Sequence, residues 1–276
     1  MRLTVEQSAI GAHGWRVVSA VILGLLALGA TYVGGPLFLL VWTVAALGIF
    51  WEWSAVVNAA PRNAALALGG AGLLGAEIAL AFGSPIAALL WMLAGAVAVA
   101  FFARPALWAA GGVIYAAALV LPAVILRDDP RLGLVAILFL FAVVWVTDMA
   151  ALYAGRYFGG AKLAPKISPA KTWSGAVGGA ISGVVAGIVL LTVARFEWNV
   201  VHVVLALAVT IIAQVGDLFE SWVKRQFGVK DASGIIPGHG GLMDRLDSFV
   251  AAVLVAVLAG TMRGGLGAPA QGLLQW

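Results

Sequence analysis

The chain has 276 residues, 63% of them hydrophobic and only 10% charged, with a formal net charge of +4 and no cysteine. Soluble domains carry about 25% charged residues, so a water-soluble domain is excluded, as are disulfides, thiolate metal sites and cysteine nucleophiles. The apolar residues fall in runs of about 20, enough for a helix to cross a ~30 Å bilayer core, and lack the alternating pattern of a transmembrane β-barrel.

The pattern predicts an all-α, polytopic integral membrane protein of about nine transmembrane helices. They lie near residues 16–33, 36–57, 63–82, 85–103, 106–126, 132–153, 175–194, 199–223 and 246–263. Between them stand Gly34-Gly35-Pro36, Pro61-Arg62-Asn63, Gly83-Ser84-Pro85, Arg104-Pro105, Arg127-Asp128-Asp129-Pro130 and Arg195-Phe196-Glu197. Each break joins helix-breaking residues to polar groups that prefer water. The first apolar run leads into further spans without a cleavage context, so no cleavable signal peptide is expected. Residues 1–130 carry little polar material in their helices beyond Glu52 and Glu77 and read as a scaffold. Residues 131–276 gather the polar side chains and read as the chemical part of one continuous membrane domain.

Nine spans place the termini on opposite sides. The N-terminal side then holds twelve basic residues: Arg2, Arg16, Arg62, Arg104, Arg156, Lys162, Lys166, Lys171, Lys224, Arg225, Lys230 and Arg245. The other side holds four, Arg127, Arg131, Arg195 and Arg263. The positive-inside rule makes the N-terminus cytoplasmic, together with the polar loops 154–174 and 224–245. The positive charge is accounted for by this asymmetry, and no nucleic-acid partner is expected.

A charge at the centre of a membrane helix costs about 2.5–3.5 kcal/mol on insertion scales, so the acids of the second half need a reason. Asp148 lies near the cytoplasmic end of the sixth span. Asp217 lies near that of the eighth, with Glu220, Ser221 and Lys224 on the same helix face. Asp244, Asp247 and Ser248 share a face at the start of the ninth. Taken alone, Asp148 reads equally well as a carboxylate that snorkels or pairs with a nearby Arg. Together the acids point to one cytoplasm-facing cavity, and their excess over cations favours a divalent metal. Mg²⁺ prefers oxygen ligands and is commonly held by one or two carboxylates plus substrate phosphates. Three His and no Cys argue against zinc.

Arg156, Lys162, Lys166 and Lys171 precede the seventh span, in "GRYFGGAKLAPKISPAKTWSG", and Lys224, Arg225 and Lys230 follow the eighth. For Lys162 and Lys166 a topogenic role suffices. Gly238, Gly240 and Gly241 lead into the helix start near Asp244, which reads as a phosphate cradle of backbone N–H groups. His239, between glycines, is open between a phosphate contact, an acid or base, and a structural hydrogen-bonder. His13 and His202 read as incidental.

From Ser221 the chain runs "SWVKRQFGVKDASGIIPGHGGLMDRLD". It resembles the long signature of the phosphatidate cytidylyltransferases, or CDP-diacylglycerol synthases. Ser221, Lys224-Arg225, Lys230-Asp231, Ser233, Pro237, His239-Gly240-Gly241, Asp244-Arg245 and Asp247 occupy its positions. Asp148, Gly155-Arg156, Phe158-Gly159, "ISPAKTW" and Glu52-Trp53 extend the similarity over most of the chain. Two positions depart from the family pattern. Leu152 follows Ala151, with Tyr153 one place later than the usual Tyr, and Ser174 replaces a usual Glu.

The resemblance implies that CTP and phosphatidic acid give CDP-diacylglycerol and pyrophosphate with Mg²⁺, in a homodimer of the bacterial cytoplasmic (inner) membrane. On this reading Asp217 and Asp244 bind Mg²⁺, in a centre with room for a second, monovalent or divalent ion, and Asp247 is a ligand or its support. Asp231 orients Lys230 or a metal-bound water. Lys171, Lys224, Arg225 and Arg245 contact phosphates. Arg156, Ser168, Thr172, Ser221, Lys230, His239, Gly240 and Gly241 are further substrate candidates. Small-residue faces such as Gly175–Gly187 would pack the homodimer. The lipid phosphate is itself the nucleophile, and its acyl chains stay among the membrane lipids. Two alternatives stand beside this: a CTP-dependent transferase acting on another membrane lipid, and an ion-coupled transporter, which Glu77 suits best.

Overall fold

The computed structural model describes residues 12–236 and 240–276, the side chains of 12, 13, 15 and 16 excepted. Arg2, Pro237, Gly238 and His239, and the side chains of His13 and Arg16, therefore lie outside the described residues. Among the described residues nine long helices follow one another: α1 (Ala12–Val33), α2 (Gly35–Val56), α3 (Arg62–Ala81), α4 (Pro85–Phe102), α5 (Ala106–Arg127), α6 (Gly133–Phe158), α7 (Trp173–Val193), α8 (Val200–Gln226) and α9 (Met243–Gly264). A short α10 (Pro269–Leu274) ends the chain, and one antiparallel hairpin, β1 (Lys162–Ala164) and β2 (Ser168–Thr172), separates α6 from α7. The protein is an all-α integral membrane protein apart from that hairpin. Among the described residues eight helices, α2 to α9, can each cross a membrane by length and apolar composition, whereas the apolar part of α1 is the shorter Val17–Val33. The expected count of nine spans is thus met as helices but not as spans.

Helix ends differ from expectation where tertiary contacts extend them. α6 continues to Phe158 and α8 to Gln226, so Arg156, Lys224 and Arg225 ride on helix ends, not in loops. α9 starts at Met243, which puts Asp244 in its first turn. The hairpin lies in a stretch expected to be loop. Thr172 ends β2 and also caps α7, its Oγ1 accepting from the Gly175 N–H at 3.1 Å. Ser174, one of the departures from the family pattern, donates to the Gly159 carbonyl at 2.5 Å and so ties α7 to the end of α6. Leu152, part of the other departure, is exposed.

Gly175, Gly179, Gly183 and Gly187 lie on one face of α7 and are buried. They do not offer the free packing face expected for a homodimer, because α6 of the same chain already covers them. A Cβ added at Gly179 would stand 2.8 Å from the Thr147 carbonyl and 2.9 Å from the Ala151 Cβ. Helix backbones come this close only where side chains are absent.

The core joins the two halves of the chain. α5 packs against α2, α3, α4, α6 and α9, and Val113, Ala116, Leu119, Val120 and Ala123 are fully buried along it. Trp42 of α2 stacks on Phe249 of α9 with centroids 5.2 Å apart and on Phe141 of α6 at 6.1 Å. Such offset aromatic contacts add about 0.5–1.5 kcal/mol each beyond the area they bury.

At the end of the bundle where α5 stops, Arg127 Nε donates to the Thr31 carbonyl at 2.6 Å and satisfies the last turn of α1. His202 is not incidental. It is buried, its Nδ1 accepts from the Asn199 N–H at 3.1 Å, and its Nε2 lies 2.9 Å from the Leu274 carbonyl. An accepting Nδ1 leaves the proton on Nε2, which fastens α10 to the start of α8. Asp129 receives the Gln271 amide and the N–H groups of Arg131 and Leu132. Burial opposes its ionisation, but these donors outweigh burial and hold its carboxyl below the ordinary range.

Gly179→Leu forces α6 and α7 apart and is expected to lower stability by about 1–3 kcal/mol, the usual cost of overpacking. The measurement is thermal unfolding of the purified variant in detergent beside the wild type.

Candidate active site

Three helix ends and one loop meet at the end of the bundle opposite Arg127. α6 brings Asp148, α8 brings Asp217 and Lys224, α9 brings Asp244, Arg245 and Asp247, and the segment between α8 and α9 brings Asp231. These seven side chains line a cavity of about 270 Å³. α8 reaches it with one polar stripe on an otherwise apolar helix, because Asp217, Glu220, Ser221 and Lys224 recur at helical spacing. Asp217 and Asp244, separated by 27 positions in the chain, open into the same space.

The cations are already engaged. Lys171 Nζ lies 2.5 Å from Asp217 Oδ2. Lys224 Nζ lies 2.5 Å from Asp244 Oδ1 and 2.6 Å from Glu220 Oε2. The Glu220 approach is a charge contact without a well-aimed hydrogen bond, and its Oε1 has no partner among the described residues. Glu220 is completely buried. Residue-type patterning put it on the right face but assigned it no role, although its i, i+4 spacing to Lys224 is a recognisable pairing signal. Lys224 is therefore a buried counter-ion to two acids before any phosphate arrives. Arg245 is exposed, and its side chain makes no ion pair or hydrogen bond with a described residue. It is the cavity-lining cation left free to meet an anion.

Asp244 organises the loop ahead of it. Its Oδ2 accepts from the Gly241 N–H at 2.7 Å and the Ala232 N–H at 3.1 Å. The next two N–H groups, of Leu242 and Met243, donate to Glu52 of α2. At the described end of the expected phosphate cradle, the N–H groups of Gly241, Leu242 and Met243 are thus taken by protein carboxylates. Gly240 has φ +82°, a left-handed backbone that suits glycine.

Other expected site residues stand apart from the cavity lining. Arg225 braces the hairpin and the end of α8, donating to the carbonyls of Ile167 at 3.3 Å and Val229 at 2.9 Å. Thr172 is buried as the α7 cap, and Ser168 sits at the start of β2 opposite Ala164. Arg156 and Lys230 are exposed outside the lining, and Ser221 donates to Asp217 Oδ1 at a long 3.4 Å. Asp148 accepts from Ser248 Oγ at 3.2 Å, and Asp247 Oδ1 accepts from the Ser248 N–H at 2.8 Å. Asp148, ambiguous by itself in the sequence, belongs to the cavity.

Five carboxylates and two cations line this space, a donor set that suits a hard divalent cation. Among the described residues no three His, Asp or Glu side chains are gathered closely enough to hold a metal ion. The arrangement fits Mg²⁺ held by one or two carboxylates and completed by water and substrate phosphates. Among the described residues Asp217 and Asp247 each keep one oxygen without a strong partner, while both oxygens of Asp244 are engaged.

A model of the cytidylyltransferase family matches residues 14–262. A protein of Brucella suis biovar 1 (strain 1330) named phosphatidate cytidylyltransferase is 41% identical over 254 residues, covering 90% of this chain and 93% of its own. Proteins of the same name from Haemophilus influenzae and Staphylococcus haemolyticus are 41% and 47% identical over 133 and 119 residues, under half of each chain. The family match takes in every helix that reaches the cavity, and the chain belongs to the cytidylyltransferase family, a nucleotidyltransferase enzyme.

Proposed function

We propose that the protein transfers CMP from CTP to phosphatidic acid, giving CDP-diacylglycerol and pyrophosphate. One observation carries this reading: an acid-rich cavity that opens at the ends of membrane helices, in a chain akin to proteins named for that reaction. A phosphate oxygen of the lipid attacks the α-phosphorus of CTP, a P–O bond forms, and the bond to the β-phosphate breaks as pyrophosphate leaves. The substrate supplies the nucleophile, in keeping with a cavity whose described lining consists of carboxylates, Lys224 and Arg245. Such transfers depend on positioning and on charge stabilisation.

The two reacting groups are both anions, and this chain's residues divide the work of bringing them together. Arg245 meets a phosphate directly. Lys171 can exchange Asp217 for a phosphate oxygen at small cost, since both partners are anionic. Lys224 holds Glu220 and Asp244 in place. Asp217 and Asp247 would hold Mg²⁺, which supplies charge neutralisation on the triphosphate when bound. Asp244 would join them only by releasing Lys224 or a backbone N–H.

The lipid side of the cavity also supports the reading. Asp148 is exposed, and so are Met149 beside it and Leu152 one turn on. Exposed apolar residues at the rim let acyl chains stay in the bilayer, whereas extracting them costs about 0.8 kcal/mol per CH₂. Of the described basic residues, Arg62, Arg104, Arg156, Lys162, Lys166, Lys171, Lys224, Arg225, Lys230 and Arg245 belong to the cavity end, and Arg127, Arg131, Arg195 and Arg263 to the other. By the positive-inside rule the cavity then faces the cytoplasm, where CTP is, across the bacterial inner membrane. A homodimer would use a face other than the glycine stripe of α7.

Purified protein given labelled CTP and phosphatidic acid in detergent should form a CDP-lipid with Mg²⁺ and none after chelation with EDTA, with activity returning on re-addition. Solute uptake into vesicles without CDP-lipid formation would favour the transporter reading instead. Asp217→Ala should lower turnover by about 10²–10³-fold, the scale of losing one charge-positioning group, while the protein still inserts. Arg245→Ala should raise the KM for an anionic substrate and leave the unfolding temperature near that of the wild type. Lys224→Met should lower both activity and unfolding temperature, because breaking a buried ion pair costs about 3–5 kcal/mol.

A further inference from the structure

We propose that Glu52, on the scaffold helix α2, is a positioning residue for the cavity: its carboxylate anchors Ser233, Leu242 and Met243 and sets where α9 begins. The side chain is completely buried and forms no ion pair with a described residue. It is not part of the cavity lining. It accepts three hydrogen bonds, from Ser233 Oγ at 2.5 Å, the Leu242 N–H at 2.8 Å and the Met243 N–H at 2.6 Å.

Those two N–H groups stand at the start of α9, where no intrahelical carbonyl can take them. An acceptor there normally comes from the residue just before the helix. Here that residue is Leu242, whose side chain has no acceptor. The carboxylate arrives from a position 190 residues earlier, at the positive end of the helix dipole. Neighbouring contacts hold it rigidly. Trp53 Nε1 donates to the Trp108 carbonyl at 2.7 Å, which fixes the end of α2 to α5.

Gly241 carries an independent sign of the same function. It does not have a left-handed φ, so its backbone does not demand glycine. A Cβ there would lie 2.7 Å from Glu52 Oε1 and 2.9 Å from Oε2. Glycine at 241 leaves room for this carboxylate. Beyond the anchored N–H groups come Asp244, Arg245 and Asp247, all three in the cavity lining. The position of α2 is thereby transmitted to the groups that face the substrates, and a misplacement of about 1 Å in such groups can cost 10²-fold in rate.

The activity arm of the test rests on the transfer reaction proposed above; the exchange arm does not. In full-length protein in detergent, Glu52→Gln should speed amide hydrogen exchange at Leu242 and Met243 by at least ~10-fold, with exchange at Val113–Val120 of α5 unchanged. Gly241→Ala, which keeps the carboxylate but crowds it, should speed exchange at the same two amides and lower kcat by about tenfold or more. In a Glu52→Ser background, where the shorter side chain makes room, Gly241→Ala should add less than about a twofold loss. Unchanged exchange at Leu242 and Met243 in either single variant overturns the proposal, as does a Gly241→Ala loss of equal size in both backgrounds. If the wild type makes no CDP-lipid, the reaction fails and the exchange measurements decide the function of Glu52 alone. If the Glu52 variants do not fold, exchange in Gly241→Ala decides it.

Discussion

An ionised carboxylate at the edge of a bilayer must be compensated, and at the acidic end of this protein that requirement sets the geometry. Glu52, Glu220 and Asp244 are each answered by particular donors: backbone N–H groups for the first, Lys224 for the second, both kinds for the third. Glu220 is paired within α8, whereas Glu52 and Asp244 draw donors from other elements, so satisfying those charges also fixes α2, α8, α9 and the loop between them relative to one another. Uncompensated burial would cost several kcal/mol per ion, comparable with the whole stability of a typical domain. Asp148, Asp217 and Asp247, which share the cavity lining with Asp231 and Asp244, receive fewer protein donors than Asp244 does.

The division of labour among cations follows from the same constraint. Lys224 is the buried partner of two acids and keeps them from repelling one another. Lys171 is paired with Asp217 while partly exposed, which lets it change partners. Arg245 has no protein partner among the described residues, and its planar fork of donors suits phosphate oxygens. Three basic side chains that look alike in the sequence thus differ in what they can offer a substrate.

The scaffold is more than a hydrophobic filler. The aromatic contacts of Trp42 with Phe141 and Phe249 lock α2 to α6 and α9 within the apolar layer. Glu52 repeats the connection at the polar end of the same helix. α7, by contrast, has its glycine face pressed on α6, and both carry exposed aromatic residues where they meet the hairpin, Tyr157, Phe158 and Trp173. Aromatic side chains of that kind favour the membrane–water boundary.

Long apolar runs with breaking residues between them are a local property of the chain, and they determined the helical membrane architecture and nearly all helix positions without reference to any contact. Helical spacing likewise put Asp217, Glu220, Ser221 and Lys224 on one face, and Asp244 with Asp247 on another. Which of those groups pair and which stay free was not legible, because pairing depends on distances between helices far apart in sequence. Lys224 and Arg245 have the same charge and differ only in their neighbours. The glycine segment looked like a phosphate cradle because nothing local reveals that a carboxylate 190 positions away already takes the N–H of Leu242, which follows it. The glycine stripe of α7 looked free for a second copy because small residues announce close packing but not the partner. Tertiary structure decided these matters, since burial and charge compensation are properties of the assembled bundle and not of any one helix.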